Sequence, residues 1–299
     1  MSDPKELADF IKWSKANYPA KHYMLIVSSH GNGWLGCCRD EKHNGWASTP
    51  AFASGLKQGR EESDGQPLDV VGFDACSMGN IETDDQLQGE AHFLVGSEEV
   101  TPGAGWQYDK LLSPLSTGGQ STPAVSPLEL VKNVVSLGEG SIPTLAAVDT
   151  SKIPALVDST HELSQALLDT RLANSAVAKV ADKSQRYFRE SDLYDFADRL
   201  STKFALDDPK LAQAAEAVKK NVANAVIAEE HTDNDRYARS HGLTIDLDWQ
   251  GTLTPDPSAD SATSSINYGN YANTRFAHDT HFDQARARFH LRDGETLST

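Results

Sequence analysis

Short apolar runs alternate along this chain with longer polar segments in which apolar residues recur at helical spacing. Asp3 reads as an N-cap with Pro4 at the first helical position and Glu6 at the third. It opens a helix to about Asn17 that places Leu7, Phe10 and Ile11 on one face. HYMLIVSS (22–29) follows, apolar and without glycine or proline, the pattern of a strand buried on both faces. The stretch 37–49 is polar and turn-rich and reads as a loop; Ser48, Thr49 and Pro50 then introduce a helix to about residue 60. LDVVGFDA (68–75) is the next buried strand, ended by Cys76.

The alternation continues to the C-terminal part. GNIETDDQLQGEA reads as a helix, AHFLVGS (91–97) as a strand, residues 126–140 as a capped helix and TLAAVDT (144–150) as a strand. Residues 151–169 and 209–229 are helical by spacing, and HGLTIDLD (241–248) is a late strand. Strand, crossover and strand in this order predict an α/β fold over 1–299, one domain with a mainly parallel sheet and helices on both faces. TPDPSADSATSS (254–265) is expected to be an exposed loop.

Charge narrows the partners. With 27 basic and 43 acidic residues, the net charge of -16 argues against nucleic acid and for cationic ligands. The three cysteines, Cys37, Cys38 and Cys76, make no disulfide framework and no zinc spacing. The N-terminal residues have neither the basic region nor the apolar run of a signal peptide or membrane span.

Candidate chemistry sits where the strands end. In open parallel sheets functional groups collect at the carboxyl ends of strands, and His30 and Cys76 both stand at such ends. An imidazole beside a thiol can generate or stabilise the thiolate needed for acyl transfer. The plainer alternatives are a small core cysteine and a hydrogen-bonded bystander histidine. Asp74, two residues before Cys76, shares its strand face. A carboxylate there is either a receptor for a cationic side chain or the N-cap of the segment after Cys76. Glu98, Glu99 and Trp106 read as structural or as parts of a substrate-facing loop. His278 and His281, three apart, read as surface residues before metal ligands. Gly31, Gly33 and Gly36 satisfy G-x-G-x-x-G after a strand, but CCRDEKHNGWASTP opens no amphipathic helix and residues 42–60 contain no acid, so a dinucleotide-binding oxidoreductase is disfavoured.

SSHGNGW (28–34) and GFDACSMGN (72–80) resemble the catalytic histidine and cysteine segments of the clostripain-like C11 peptidases, which belong to the caspase-like cysteine peptidases of clan CD. GSEEVTPGAGWQYD (96–109), DLYDFAD (192–198) and HGLTIDL (241–247) continue the resemblance in the family's order. The 46 positions from His30 to Cys76 are also near the roughly 50 typical of caspases.

The resemblance implies a caspase-like α/β/α sandwich and a cysteine endopeptidase that cleaves after Arg or Lys. Cys76 would be the nucleophile and His30 the general acid and base. The backbone N–H groups of Gly31 and Cys76 would serve the oxyanion, and Asp74 would bind the P1 side chain. It also implies secretion, calcium with ligands unassigned (TDND at 232–235 being one oxygen-rich stretch), and self-cleavage at a basic residue between the two catalytic segments. Of Arg39, Lys42, Lys57 and Arg60, the first two are favoured because the others fall in or beside a helix. Two departures are noted: serines precede His30, and relatives carry further strands before the segment matching residue 4, so a preceding segment or a partner chain is a possible requirement. A catalytically inactive binding module on the same fold is the alternative function.

Overall fold

The computed structural model describes residues 3–40, 45–116, 125–187, 190–247 and 268–295. The predicted loop at 254–265 and Lys42 lie outside them. Helix α1 (Pro4–Asn17) begins at Asp3, whose carboxylate accepts the Lys5 N–H, and buries Leu7 and Ile11. Phe10 is instead exposed and stacks beside Trp13, because the helix turns it away from the face that packs on α2 (Thr49–Glu61). Ser48 caps α2.

A five-stranded sheet organises the molecule, in the order β1 (Met24–Ser28), β4 (Leu68–Asp74), β5 (Ala91–Gly96), β6 (Thr144–Asp149), β8 (Val226–His231). β1, β4 and β5 are parallel; β6 is antiparallel to both of its neighbours, so β8 again runs with the first three. The sheet is thus mainly parallel, as expected for the caspase-like sandwich. β1 lies at one end of the strand order and buries only Leu25 and Val27 fully, rather than both faces.

β4 is the buried strand. Its alternation sends Val71 and Phe73 to one face and Val70 to the other. The first face packs on α1 and α2 through Leu7, Ile11, Phe52 and Leu56. The second packs on Trp106, α4 (Tyr108–Ser116) and α5 (Pro127–Leu137), the last opened by a Ser126–Glu129 capping box. Each fully buried aliphatic or aromatic side chain here contributes about 1.5–3 kcal/mol. A third cluster, reaching the sheet through Val148, gathers α3 (Ile81–Gln86), α6 (Ile153–Asp169), α7 (Asn174–Lys183), α8 (Leu193–Lys203), α9 (Pro209–Ala225), α10 (Arg275–Thr280) and α11 (Phe282–Ala287).

Three predicted elements are corrected. Within the stretch 37–49 expected as a loop, β2 (Cys37–Asp40) pairs antiparallel with β3 (Gly45–Ala47). The helix predicted over 209–229 stops at Ala225, and 226–231 form β8, where β-branched Val226 and Ile227 join the ladder on β6. No glycine or proline marks that change, so periodicity ran through it. The late strand at 241–248 shrinks to β9 (Thr244–Ile245), paired with β7 (Ser191–Asp192) outside the main sheet.

The short helix α3 is acidic yet buried, with Glu82, Asp84 and Asp85 all enclosed. Burial pushes the Glu82 carboxyl up to about 7 and that of Asp85 to about 7, although Arg275 lies 3.7 Å from the latter. The folded chain therefore holds protons that the unfolded chain releases near pH 4.5. That stabilisation is complete below the unfolded value and is lost as pH rises through about 7. Urea midpoints should be higher at pH 5 than at pH 8, and Glu82→Gln should flatten the dependence. A midpoint that rises across this interval would contradict the account.

Candidate active site

The register of the sheet positions the site. Ser28 on β1 faces Asp74 on β4, and His30 and Cys76 each follow by two residues, so both leave the same edge of the sheet at the same level. His30 is exposed, with its ring 6.5 Å from that of Trp46. Cys76 is half-buried, its Sγ 3.8 Å from the Thr101 carbonyl. Gly31 crosses directly over the Cys76 segment: a Cβ on it would run into the Cys76 carbonyl and stand 2.9 Å from Met78 Cγ. Only glycine allows that approach.

The loop bearing Cys76 is clamped from the strand beside it. The Ser77 N–H donates to the Glu99 carbonyl at 3.1 Å and the Gly79 N–H to the Ser97 carbonyl at 2.9 Å. Asn80, not Asp74, caps the following helix, accepting the Thr83 N–H at 2.8 Å. Asp74 is held by the segment 105–108 instead. Its Oδ2 accepts the Tyr108 hydroxyl at 2.6 Å and the Trp106 N–H at 3.3 Å, while its Oδ1 is buried without a hydrogen-bond partner. Burial and the hydrogen bond to Asp74 push the Tyr108 phenol up to about 12, so it stays a donor. Gly105, at φ +64, lies against this carboxylate; a Cβ there would stand 2.5 Å from Oδ2.

Glu98 and Glu99 hold structure. Glu98 is fully buried, with Oε2 accepting from the Tyr187 hydroxyl and the Gly242 N–H, each at 3.1 Å. Glu99 pairs with Arg236 at 2.7 Å. Trp106 is buried against Gly72 in the core. His278 is exposed, and His281 lies 5.5 Å from the His161 ring. The glycines at 31, 33 and 36 lead into the β2–β3 hairpin and open no helix, which removes the dinucleotide reading. Among the described residues no group of three or more histidine, cysteine or acidic side chains is placed to hold a metal ion. In the TDND stretch the Asn234 side chain is used by the Arg236 N–H.

Sequence reasoning missed Glu190. Together with Gly31, Cys76 and Trp34 it lines a cavity of about 250 Å³, which Asp74 does not line. Its Oε1 fills the space where Gly33 would carry a Cβ, its carboxyl accepts the Trp34 N–H, and its Oε2 is 2.6 Å from the Thr244 hydroxyl. Thr244 in turn bonds the Gly79 carbonyl through its N–H at 2.9 Å and its hydroxyl at 3.1 Å. Glu190 therefore links the His30 loop to the Cys76 loop. Burial first, then neighbouring Glu82, pushes this carboxyl well above its ordinary range, so a proton on it can pass the hydrogen-bond chain on to Gly79. Its only signal in the sequence is an acid two residues before the DLYDFAD segment.

A sandwich on a mainly parallel sheet, with a cysteine and a histidine at one sheet edge, defines a caspase-like cysteine peptidase architecture. The model of the clostripain family matches residues 1–283, and the chain belongs to that family of cysteine peptidases. Clostripain of Hathewaya histolytica is 28% identical over 254 residues, 79% of this chain and 43% of that protein; the chain thus spans less than half the length of this relative. Two solved structures share the fold. An inactive zymogen C11 protease from Parabacteroides distasonis has a TM-score of 0.64 at 19% identity, covering 93% of this chain and 76% of its own. A secreted C11 cysteine protease from Bacteroides thetaiotaomicron, in complex with an irreversible peptide inhibitor, has 0.59 at 20%, covering 94% and 78%.

Glu190→Gln should preserve the link, because an amide N–H₂ can donate to Thr244 as a protonated carboxyl does. Glu190→Ala, which strands Thr244 and the Trp34 N–H, should lower unfolding free energy by about 1–3 kcal/mol. Urea unfolding of the two variants checks this, and equal losses would remove the linking role.

Proposed function

We propose that this protein is a cysteine endopeptidase that cleaves peptides after Arg or Lys. In this reading Cys76 attacks the scissile carbonyl, His30 takes the thiol proton and returns it to the leaving amine, and the N–H groups of Gly31 and Cys76 face the developing oxyanion. The observation that carries it is the parallel pairing of β1 and β4, with His30 and Cys76 each two residues beyond the paired ends. The close passage of Gly31 over the Cys76 backbone supports the oxyanion role.

The basic preference rests on Asp74. Its unpartnered Oδ1 is costly as it stands, and an arriving guanidinium or ammonium would satisfy it. The net charge of -16 favours the same substrates. Secretion, as described for the Bacteroides thetaiotaomicron relative, is the proposed compartment; among the described residues no helix is long and apolar enough to cross a membrane.

Self-cleavage between the catalytic segments is part of the proposal, with a revised choice of site. Arg39 lies in paired β2, and Lys57 and Arg60 lie in α2, where Arg60 also pairs with Glu90 at 2.8 Å. A protease must unfold such elements to use them. Lys42, in the segment that joins β2 to β3, is the preferred site.

Turnover of fluorogenic peptides that differ only at P1 tests the reading. Peptides with Arg or Lys should be cleaved and those with Asp or Asn should not, and Cys76→Ala should lose roughly 10⁴-fold or more. Asp74→Asn should cost basic substrates about 2–5 kcal/mol more than neutral ones. Intact-mass analysis of the same preparations should show two associated fragments from wild type and none from Cys76→Ala. Running the assay with calcium and with a chelator tests the cofactor that the resemblance implies. Undiminished turnover by Cys76→Ala would refute the nucleophile, and no turnover by wild type on any peptide would favour the inactive binding module.

A further inference from the structure

Cys37 and Cys38 have no part in the proposed chemistry, yet their arrangement is unusual. On an extended strand consecutive side chains point to opposite faces, which keeps adjacent sulfurs apart. Here Cys38 takes φ +58, a left-handed conformation that a residue with a Cβ adopts at a cost of about 1–2 kcal/mol. The result is that both side chains enter the same core cluster and the two Sγ atoms come within 3.5 Å. Strain of this kind persists where the surroundings hold it and is a pointer to function. The two thiols share a hydrogen bond in which either sulfur can donate, and Cys38, 5% exposed against 1% for Cys37, is the one a small oxidant reaches first.

The pair is also wired to the site. Cys37 forms an antiparallel bridge with Gly31 and pairs on its other side with Ala47. The Gly31–Cys37 bridge closes the turn 32–36, whose Asn32 N–H donates to the Gly36 carbonyl at 3.0 Å. Anything that moves the Cys37 backbone is therefore felt at Gly31, which passes so close to Cys76 that a single added carbon would meet its carbonyl.

We propose that Cys37 and Cys38 are a redox modification site: a peroxide closes them into a reversible vicinal disulfide that displaces Gly31 and lowers turnover. The Cys38 thiolate attacks one peroxide oxygen, the O–O bond breaks, and Cys38 becomes a sulfenic acid while hydroxide leaves and takes up a proton as water. The Cys37 sulfur then attacks the Cys38 sulfur, the S–O bond breaks, and the departing hydroxide takes the Cys37 proton. Two thiols are oxidised and one peroxide is reduced to two waters. A small oxidant suits thiols that are 1% and 5% exposed. Closure draws the sulfurs from 3.5 Å to about 2.05 Å and locks the intervening peptide into a small ring.

The lowered turnover rests on the peptidase reading; the disulfide and the movement of Gly31 do not, so the test separates them. The full chain carrying Cys76→Ala is treated with hydrogen peroxide. Its intact mass should fall by two hydrogen atoms, two thiols should become resistant to alkylation after unfolding, and dithiothreitol should restore both. Amide hydrogen exchange across residues 30–36 should change on oxidation and revert on reduction. In the wild type, with Cys76 covered during oxidation by a reversible peptide aldehyde that is then removed, turnover should fall about fivefold or more. Cys37→Ala and Cys38→Ala should each keep basal turnover and lose the response. The proposal is overturned if peroxide leaves both thiols alkylatable or adds oxygen to them instead. It is equally overturned if the disulfide forms while exchange across 30–36 stays unchanged. If the reduced wild type cleaves no peptide, the peptidase reading fails, and mass and exchange still decide the site.

Discussion

The parallel pairing of β1 with β4 is the constraint on which the rest depends. With Ser28 opposite Asp74, the two chemistry-bearing loops leave the sheet at one level, and a shift of one residue would send His30 and Cys76 to opposite faces. β4 is fixed by packing on both of its faces, whereas β1 depends on Leu25 and Val27 against α1 and α2. The two N-terminal helices therefore support the site without touching it. Gly31 follows from the same constraint, since loops brought this close leave no space for a side chain.

A second layer of the architecture is made of buried carboxyl groups. Glu98, Asp192, Glu190 and Glu82 are enclosed and bonded to backbone N–H groups or hydroxyls of distant segments. These bonds tie the stretches around 97–99, 190–198 and 241–247 to one another and to the Cys76 loop: Glu98 accepts from Gly242, Asp192 caps α8 and accepts from His241, and Thr244 reaches Gly79. Such a network is stable only if its acids are hydrogen-bonded or keep their protons. One oxygen of Asp74, as of Glu82, Asp84, Asp85 and Glu98, is buried without a hydrogen-bond partner; burial pushes the last four carboxyls upward, toward the protonated form.

Much of this was legible in the sequence, for identifiable reasons. The strands at 24–28, 68–74, 91–96 and 144–149 are apolar runs between polar segments, and Asp3, Ser48 and Ser126 announced their helices as N-caps. His30, Gly31, Cys76 and Asp74 stood out because each follows or ends a strand. What escaped has no local signature. β8 continues a helical pattern without a break, and only its ladder with β6 makes it a strand. The β2–β3 hairpin is polar and short, and depends on the turn at Cys38. Glu190 matters through Gly33, Trp34 and Thr244, contacts that only the folded chain creates. Spacing alone puts Phe10 on one face with Leu7 and Ile11, but α2 covers only the part that carries the other two.

The central claim is that the β1–β4 register makes His30 and Cys76 one chemical unit. The most direct measurement is the rate at which a small neutral alkylating agent modifies Cys76 at pH 7, followed by peptide mapping, in the wild type and in His30→Ala. The account predicts that removal of the imidazole slows alkylation of Cys76 by about tenfold or more while Cys37 and Cys38 stay slow in both. Equal rates at Cys76 in the two proteins would contradict it.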